Sequence, residues 1–167
     1  MTPEAFAERG GHWHGYGPWV GSRRLMELEY LRRPASLDMS LLRVPSGMNA
    51  HPQETFLPFA QRTIPPMMTG HYLLRRPEGL DQRTWTTVPP AVDWLTTIYK
   101  QFPPLRRPDG KQAYASLEWH QECAHRTLLH GSDVVWSHYL EDLRFTSSAV
   151  ICCPSLPFHP AIKCPLS

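Results

Sequence analysis

The sequence predicts a mainly α-helical protein whose short helices are separated by extensive irregular, proline-rich extended segments. The chain has 18 prolines in 167 residues, roughly twice the usual share of about 5%. Each proline fixes φ and removes a backbone N–H donor. Apolar residues recur at helical spacing only in short stretches between the prolines. We therefore expect elements of a few turns that become ordered against a partner rather than against one another.

Two segments make up the first two thirds of the chain. Residues 1–21 contain a stretch rich in glycine and aromatic residues, from Gly10 to Gly21, which predicts an N-terminal loop. Residues 22–108 alternate short helices with extended segments. One of these helices covers residues 91–102, because Pro89 and Pro90 precede it and apolar residues fall on one face.

Residues 109–145 lie within the longest stretch without proline, which runs from Pro108 to Pro154, and predict a helical hairpin. The first helix covers residues 111–130, and Gly131 suits the position just after a helix end. Ser132 or Asp133 can cap the second helix. Its apolar side chains recur at i, i+3, i+4 and i+7, namely Trp136, Tyr139, Leu140 and Leu143.

Residues 146–167 form a proline- and cysteine-rich tail of low charge, in which Lys163 carries the only side-chain charge. The segment is predicted to be a docked or disordered tail. Three of the chain's four cysteines lie here, two of them adjacent, which does not suit a disulfide framework. With no apolar leader at Met1 and no stretch long enough to span a bilayer, we expect an intracellular protein.

The tetrapeptide Leu-Arg-Arg-Pro occurs three times, beginning at Leu31, Leu74 and Leu105. An arginine before proline favours extended backbone, and guanidinium groups can fork onto carboxylates. Two interpretations stay open, because arginine followed by proline also ends helices. If the copies are recognition contacts, the predicted partner-binding residues are Arg32, Arg33, Arg75, Arg76, Arg106 and Arg107, together with Trp13, Trp19 and Trp94.

The sequence predicts that the protein is not an enzyme. It contains no glycine-rich phosphate loop, nucleophile elbow or kinase signature, so no catalytic residue, cofactor or small-molecule substrate is assigned. A net charge of +2 does not favour a nucleic-acid partner.

The histidines and cysteine near residue 120 raise a zinc-binding module as a minor alternative. His120 and Cys123 would be neighbours on a helix, but His125 would point elsewhere. We therefore assign no metal ligand from the sequence.

Lipidation is a further alternative. Cys164-Pro-Leu-Ser167 has the form of a prenylation box, and Cys152 and Cys153 are conceivable palmitoylation sites. This pattern would make the chain a membrane-associated adaptor modified at Cys164, and membrane contact is expected only in that case.

Broken helices, scattered tryptophans and repeated Arg-Pro turns give a chain that resembles the small microtubule inner proteins of cilia and sperm flagella. The resemblance is one of style over the whole chain. It implies a non-enzymatic structural protein of the cytoplasm and cytoskeleton, bound to the lattice of the ciliary or flagellar axoneme. Its partner would be tubulin or tektin.

Overall fold

A four-stranded antiparallel sheet with the order β2-β1-β4-β3 lies at the centre of the fold. The computed structural model describes residues 5–34, 57–111, 113–155 and 159–167. The strands are β1 (His12–Gly21), β2 (Thr84–Trp85), β3 (Val134–Tyr139) and β4 (Phe145–Cys153). The protein is thus an α/β fold, and the prediction of a mainly α-helical protein is wrong.

Five α-helices and three 3₁₀ turns accompany the sheet in the described residues. The helices are α1 (Ala5–Glu8), α2 (Arg23–Met26), α3 (Glu29–Arg32), α4 (Val88–Gln101) and α5 (Leu117–Leu129). The 3₁₀ turns are Phe59–Gln61, Thr69–Leu74 and Asp81–Arg83. The helix predicted over residues 91–102 is confirmed as α4, which has prolines in its first turn.

The predicted helical hairpin is wrong in its second half. The first helix exists as α5, and the Ser116 hydroxyl caps it by accepting a hydrogen bond from the Trp119 amide. The segment after Gly131 is strand β3, in which Val134, Trp136 and His138 are buried in alternation. These side chains recur every second residue, and the two valines at its start favour extended backbone.

The predicted N-terminal loop and C-terminal tail contain the two central strands. Residues 12–21 form β1, which pairs with β4 over most of its length, with an irregularity between Tyr16 and Trp19. β4 lies between β1 and β3 and is buried on both faces. This position explains why residues 145–153 carry no charge, since both faces of a central strand are packed. Residues 35–56 of the predicted proline-punctuated segment lie outside the described residues.

The two faces of the sheet carry separate apolar clusters. On one face, Trp13, Val150 and Cys152 pack against α4 and α5. On the other, Tyr16 and Ile151 pack against the turn Thr69–Leu74 and the C-terminal residues. Each strand residue faces one layer and its neighbour faces the other, which is the normal alternation of β-strands.

Gly15 is needed for the packing of the helical layer. A Cβ atom at this position would lie 2.8 Å from the Trp85 ring and 3.2 Å from the Trp94 ring. These rings pack on each other with centroids 5.6 Å apart. A glycine in the strand therefore makes room for two indoles, so the glycine-rich composition of this segment is compatible with a strand.

None of the helices in the described part of the chain is both long and apolar enough to cross a membrane.

Candidate metal centre

Three side chains with metal-ligating atoms meet where β1 and β4 pair. His12 and His14 are two residues apart on β1, so both point to the same face of the sheet. Cys153, the last residue of β4, lies directly opposite His12. The pairing of the two central strands thus places two imidazoles and one thiol side by side.

The fourth side chain, Cys164, comes from the C-terminal segment that folds back over this face. Cys164 and Ile162 pack against the apolar cluster around Tyr16 and Ile151. Further along, the His159 ring lies on the His71 ring, with centroids 5.1 Å apart. Gly70 is required beneath it, because a Cβ there would overlap the His159 ring.

The ligand atoms of His12, His14, Cys153 and Cys164 all lie within 4.8 Å of one another. The two Nε2 atoms are 3.1 Å apart, and the Cys164 Sγ atom is 3.5 Å from each of them. In a tetrahedral zinc site, bond lengths of about 2.0–2.1 Å to nitrogen and about 2.3 Å to sulfur place ligand atoms about 3.3–3.8 Å apart. The cluster therefore has the dimensions of a single-ion site.

The hydrogen bonds behind the His14 ring determine which of its nitrogens carries the proton. The Thr84 hydroxyl donates to the Leu80 carbonyl at 2.8 Å, so it is an acceptor toward His14 Nδ1, 2.8 Å away. His14 Nδ1 must then be the protonated nitrogen, and Nε2 presents a lone pair to the cluster.

The His12 ring can take either of two tautomers. With the proton on Nδ1, this nitrogen donates to the Gly10 carbonyl, 3.4 Å away, and both Nε2 lone pairs face the cluster. With the proton on Nε2, His12 donates instead to His14 Nε2, 3.1 Å away. A cation between the rings selects the first tautomer, because both Nε2 atoms can then coordinate it.

Burial disfavours the charged forms of the His14 and Cys153 side chains when no metal is bound. Burial, together with the neighbouring His12, lowers the pKa of His14 to about 4. Burial, together with the nearby Cys164 thiol, raises the pKa of Cys153 to about 12. Neutral imidazole is the form that binds metals, and a divalent cation deprotonates a coordinating thiol outright. The Leu166 amide also faces the Cys164 Sγ atom at 3.5 Å, where its N–H can donate to a thiolate.

The donor set favours zinc. Two imidazoles and two thiolates in tetrahedral array suit Zn²⁺. An iron–sulfur cluster with two histidine and two cysteine ligands divides them between two irons, which would separate the pairs further than this compact group allows. All four ligands come from the protein, so no coordination position is left open for a substrate.

The six arginines predicted as partner contacts lie in three different settings. In the first copy, Arg32 Nε donates to the Pro65 carbonyl, and Arg33 is exposed and paired with Glu29. In the second, Arg75 is buried and donates to the Arg62 and Ile64 carbonyls. In each of these two copies, the first arginine therefore binds backbone carbonyls of the same segment, residues 62–65, and holds it in place.

The third copy differs from the other two, because Arg106 and Arg107 are both exposed. Arg76, the second arginine of the second copy, is also exposed, and its Nη1 donates to the Leu73 carbonyl. The copies are thus not equivalent in their surroundings. The third is the one that presents both guanidinium groups to solvent.

The three tryptophans predicted as partner contacts belong to the packed interior or its margin. Trp13 and Trp19 are 1% and 8% exposed. Trp94 is half-buried against Trp85. Contact between these rings and a partner stays a prediction.

The residues of the minor zinc alternative do not come together. His120 packs against the Tyr99 and Trp136 rings, and the Cys123 Sγ atom faces Arg126. The group formed by His12, His14, Cys153 and Cys164 lies elsewhere, and none of its members was predicted as a metal ligand. Cys153 and Cys164 were considered only as lipid sites. The sequence signal was His12-Trp-His14, whose spacing places both imidazoles on one face if the segment is a strand.

Comparison of the chain with protein-family models, curated proteins and solved structures finds no match.

Proposed function

We propose that this protein is a non-enzymatic zinc-binding module, in which one zinc ion bound by His12, His14, Cys153 and Cys164 holds the C-terminal segment on the sheet. The observation that carries the proposal is the convergence of two imidazole Nε2 atoms, 3.1 Å apart, with two cysteine thiols, all four ligand atoms lying within 4.8 Å of one another. Four atoms this close together can all reach a single ion.

The zinc ion has a structural role in this proposal. Structural sites are closed by four protein ligands, whereas catalytic sites keep one position for water or substrate. Metal binding contributes about 10 kcal/mol or more to folding in small zinc domains at neutral pH. That is comparable to the whole net stability of a typical domain, about 5–15 kcal/mol. The ion therefore decides whether the segment from His159 to Ser167 stays on the sheet.

Metal analysis of the purified chain tests the proposal. After purification without chelators, we expect one equivalent of zinc per chain, as measured by elemental mass spectrometry. Replacement by Co²⁺ should give the strong visible absorption of a tetrahedral site and near-ultraviolet bands from thiolate ligation. A folded, monodisperse chain that carries no metal and takes up neither ion would contradict the proposal.

Thr84 offers a second test, because its hydroxyl orients His14. We expect Thr84→Val to weaken zinc affinity by about 10–100-fold, the usual effect of removing a hydrogen-bond partner behind a metal ligand. Competition against a chelator of known affinity measures it. The control is Thr84→Ser, which keeps the hydroxyl and should bind zinc within a few-fold of the parent. Equal affinities of Thr84→Val and the parent chain would show that Thr84 does not support the site.

The microtubule-lattice and lipid-adaptor hypotheses stay predictions. The exposed arginines of the third copy are compatible with an acidic lattice such as tubulin, and localisation of a tagged chain in ciliated cells tests that partner.

Prenylation of Cys164 competes with zinc, because a thioether cannot become the thiolate ligand that the site requires. The intact mass of the protein from eukaryotic cells distinguishes the two states of this residue.

A further inference from the structure

A groove of about 520 Å³ runs beside the third Leu-Arg-Arg-Pro copy, away from the residues of the metal centre. Its walls include the half-buried rings of Tyr99 and Tyr114 and the pyrrolidine rings of Pro103 and Pro104. The groove therefore offers an apolar surface that suits an aromatic or aliphatic side chain.

The rim of the groove is cationic. Arg106, Arg107 and Lys111 line it, and no carboxylate is among its lining residues in the described part of the chain. Within that part, neither the Arg106 guanidinium nor the Lys111 ammonium has a hydrogen-bond or ionic partner. Two carboxylates lie at the margin. Asp109 pairs with Arg107 at 2.9 Å, and Glu141 accepts from the Arg106 backbone amide at 3.0 Å.

Hydrogen bonds to the end of β3 hold the groove in place. The Leu105 amide donates to the Tyr139 carbonyl at 2.7 Å, and the Tyr139 amide donates to the Tyr114 hydroxyl at 3.2 Å. His138 Nε2 donates to the Phe102 carbonyl at 2.7 Å. A surface fixed in this way loses little conformational entropy when a ligand binds.

We propose that this groove binds an acidic peptide segment of a partner protein, with carboxylates on Arg106, Arg107 and Lys111 and an apolar side chain between the tyrosines. Guanidinium groups recognise carboxylates through paired hydrogen bonds, as Arg107 already does with Asp109. This site is independent of the zinc centre and goes beyond the proposed function.

The groove suits a peptide better than a nucleic acid. The Tyr99 and Tyr114 rings both pack against His138, with centroids 5.2 and 5.9 Å apart. Single-strand binding uses aromatic rings as stacking platforms along a basic track. Here the two rings form a wall of the groove and not a row of stacking platforms. Only three cations among the described residues line the groove, and the net charge of the chain is only +2. These features favour a short acidic peptide over a nucleic-acid strand.

Fluorescence anisotropy with a labelled Glu-Glu-Phe-Glu-Glu peptide and the full chain tests the proposal. We expect Arg106→Ala/Arg107→Ala to weaken binding by about tenfold or more, and Lys111→Ala to weaken it by a smaller factor. The matched control is Arg23→Ala/Arg24→Ala, which removes the same charge from exposed positions on α2 and should change binding by less than about twofold. Circular dichroism should show the same fold in all variants.

Three results would overturn the proposal. One is equal loss of affinity in the two double variants, which would mean that net charge alone attracts the peptide. Another is tighter binding of a single-stranded oligonucleotide or of the peptide Lys-Lys-Phe-Lys-Lys. The third is no binding of the acidic peptide by the parent chain.

Discussion

The Cys164→Ser variant is expected to purify without stoichiometric zinc and to melt at least about 10 °C below the parent chain. The serine hydroxyl is not ionised at neutral pH and is a poor replacement for a thiolate. The remaining three ligands would leave an incomplete tetrahedron. Loss of the metal costs a few kcal/mol or more, and each kcal/mol shifts the melting temperature by about 2–4 °C in a chain of this length. Metal analysis and thermal melts followed by circular dichroism measure both effects.

Cys123→Ser is the matched control. Cys123 is a half-buried cysteine on α5, outside the four-ligand group, so this variant should keep its zinc and melt as the parent does. Limited proteolysis adds a local measurement, because residues 159–167 should be cleaved faster in Cys164→Ser alone. A Cys164→Ser variant that retains one equivalent of zinc and the parent's melting temperature would refute the assignment of Cys164 as a ligand.

The helices were the part of the fold most accessible from the sequence, because their signals are local. Pro89 and Pro90 followed by apolar residues at helical spacing mark the start of α4. The strands gave misleading local signals. Trp136, Tyr139 and Leu140 fit a helical period, whereas the buried residues of β3 follow Val134, Trp136 and His138. The two periods share Trp136, and only the pairing with β4 decides between them.

The glycine-rich stretch shows a different difficulty. Glycine disfavours strands on average, because its backbone loses more conformational entropy on folding than that of other residues and because it has no side chain to bury. Here Gly15 provides space for Trp85 and Trp94, residues that are distant in the chain. A contact of this kind is not encoded near Gly15, so composition alone predicts a loop.

The metal centre could be recognised only in part. His12-Trp-His14 is informative if the segment is known to be a strand, and the cysteines near the C-terminus supply candidate thiols. The choice of Cys153 over its neighbour Cys152 depends on strand alternation, because Cys152 faces the helical layer and Cys153 the metal side. Both the register of β1 with β4 and the return of the C-terminal segment are long-range features that residue spacing does not reveal.

The second large effect is expected on the opposite face of the sheet, at Leu128. This α5 residue is 0% exposed and packs in the cluster that contains Trp13 and Val150. We expect Leu128→Ala to lower the free energy of unfolding by about 2–5 kcal/mol, because it removes buried methyl groups and leaves a cavity. Urea unfolding in zinc-saturated buffer measures the loss.

Leu129→Ala provides the comparison, since this neighbouring side chain is only partly buried against the same cluster. Its loss should be clearly smaller, because a partly exposed site leaves no closed cavity. Zinc affinity should be unchanged in both variants, since the four ligands lie on the other face of the sheet. If Leu128→Ala also abolished zinc binding while the chain remained folded, the two faces would be coupled through the sheet and the zinc ion could not be assigned to the C-terminal layer alone.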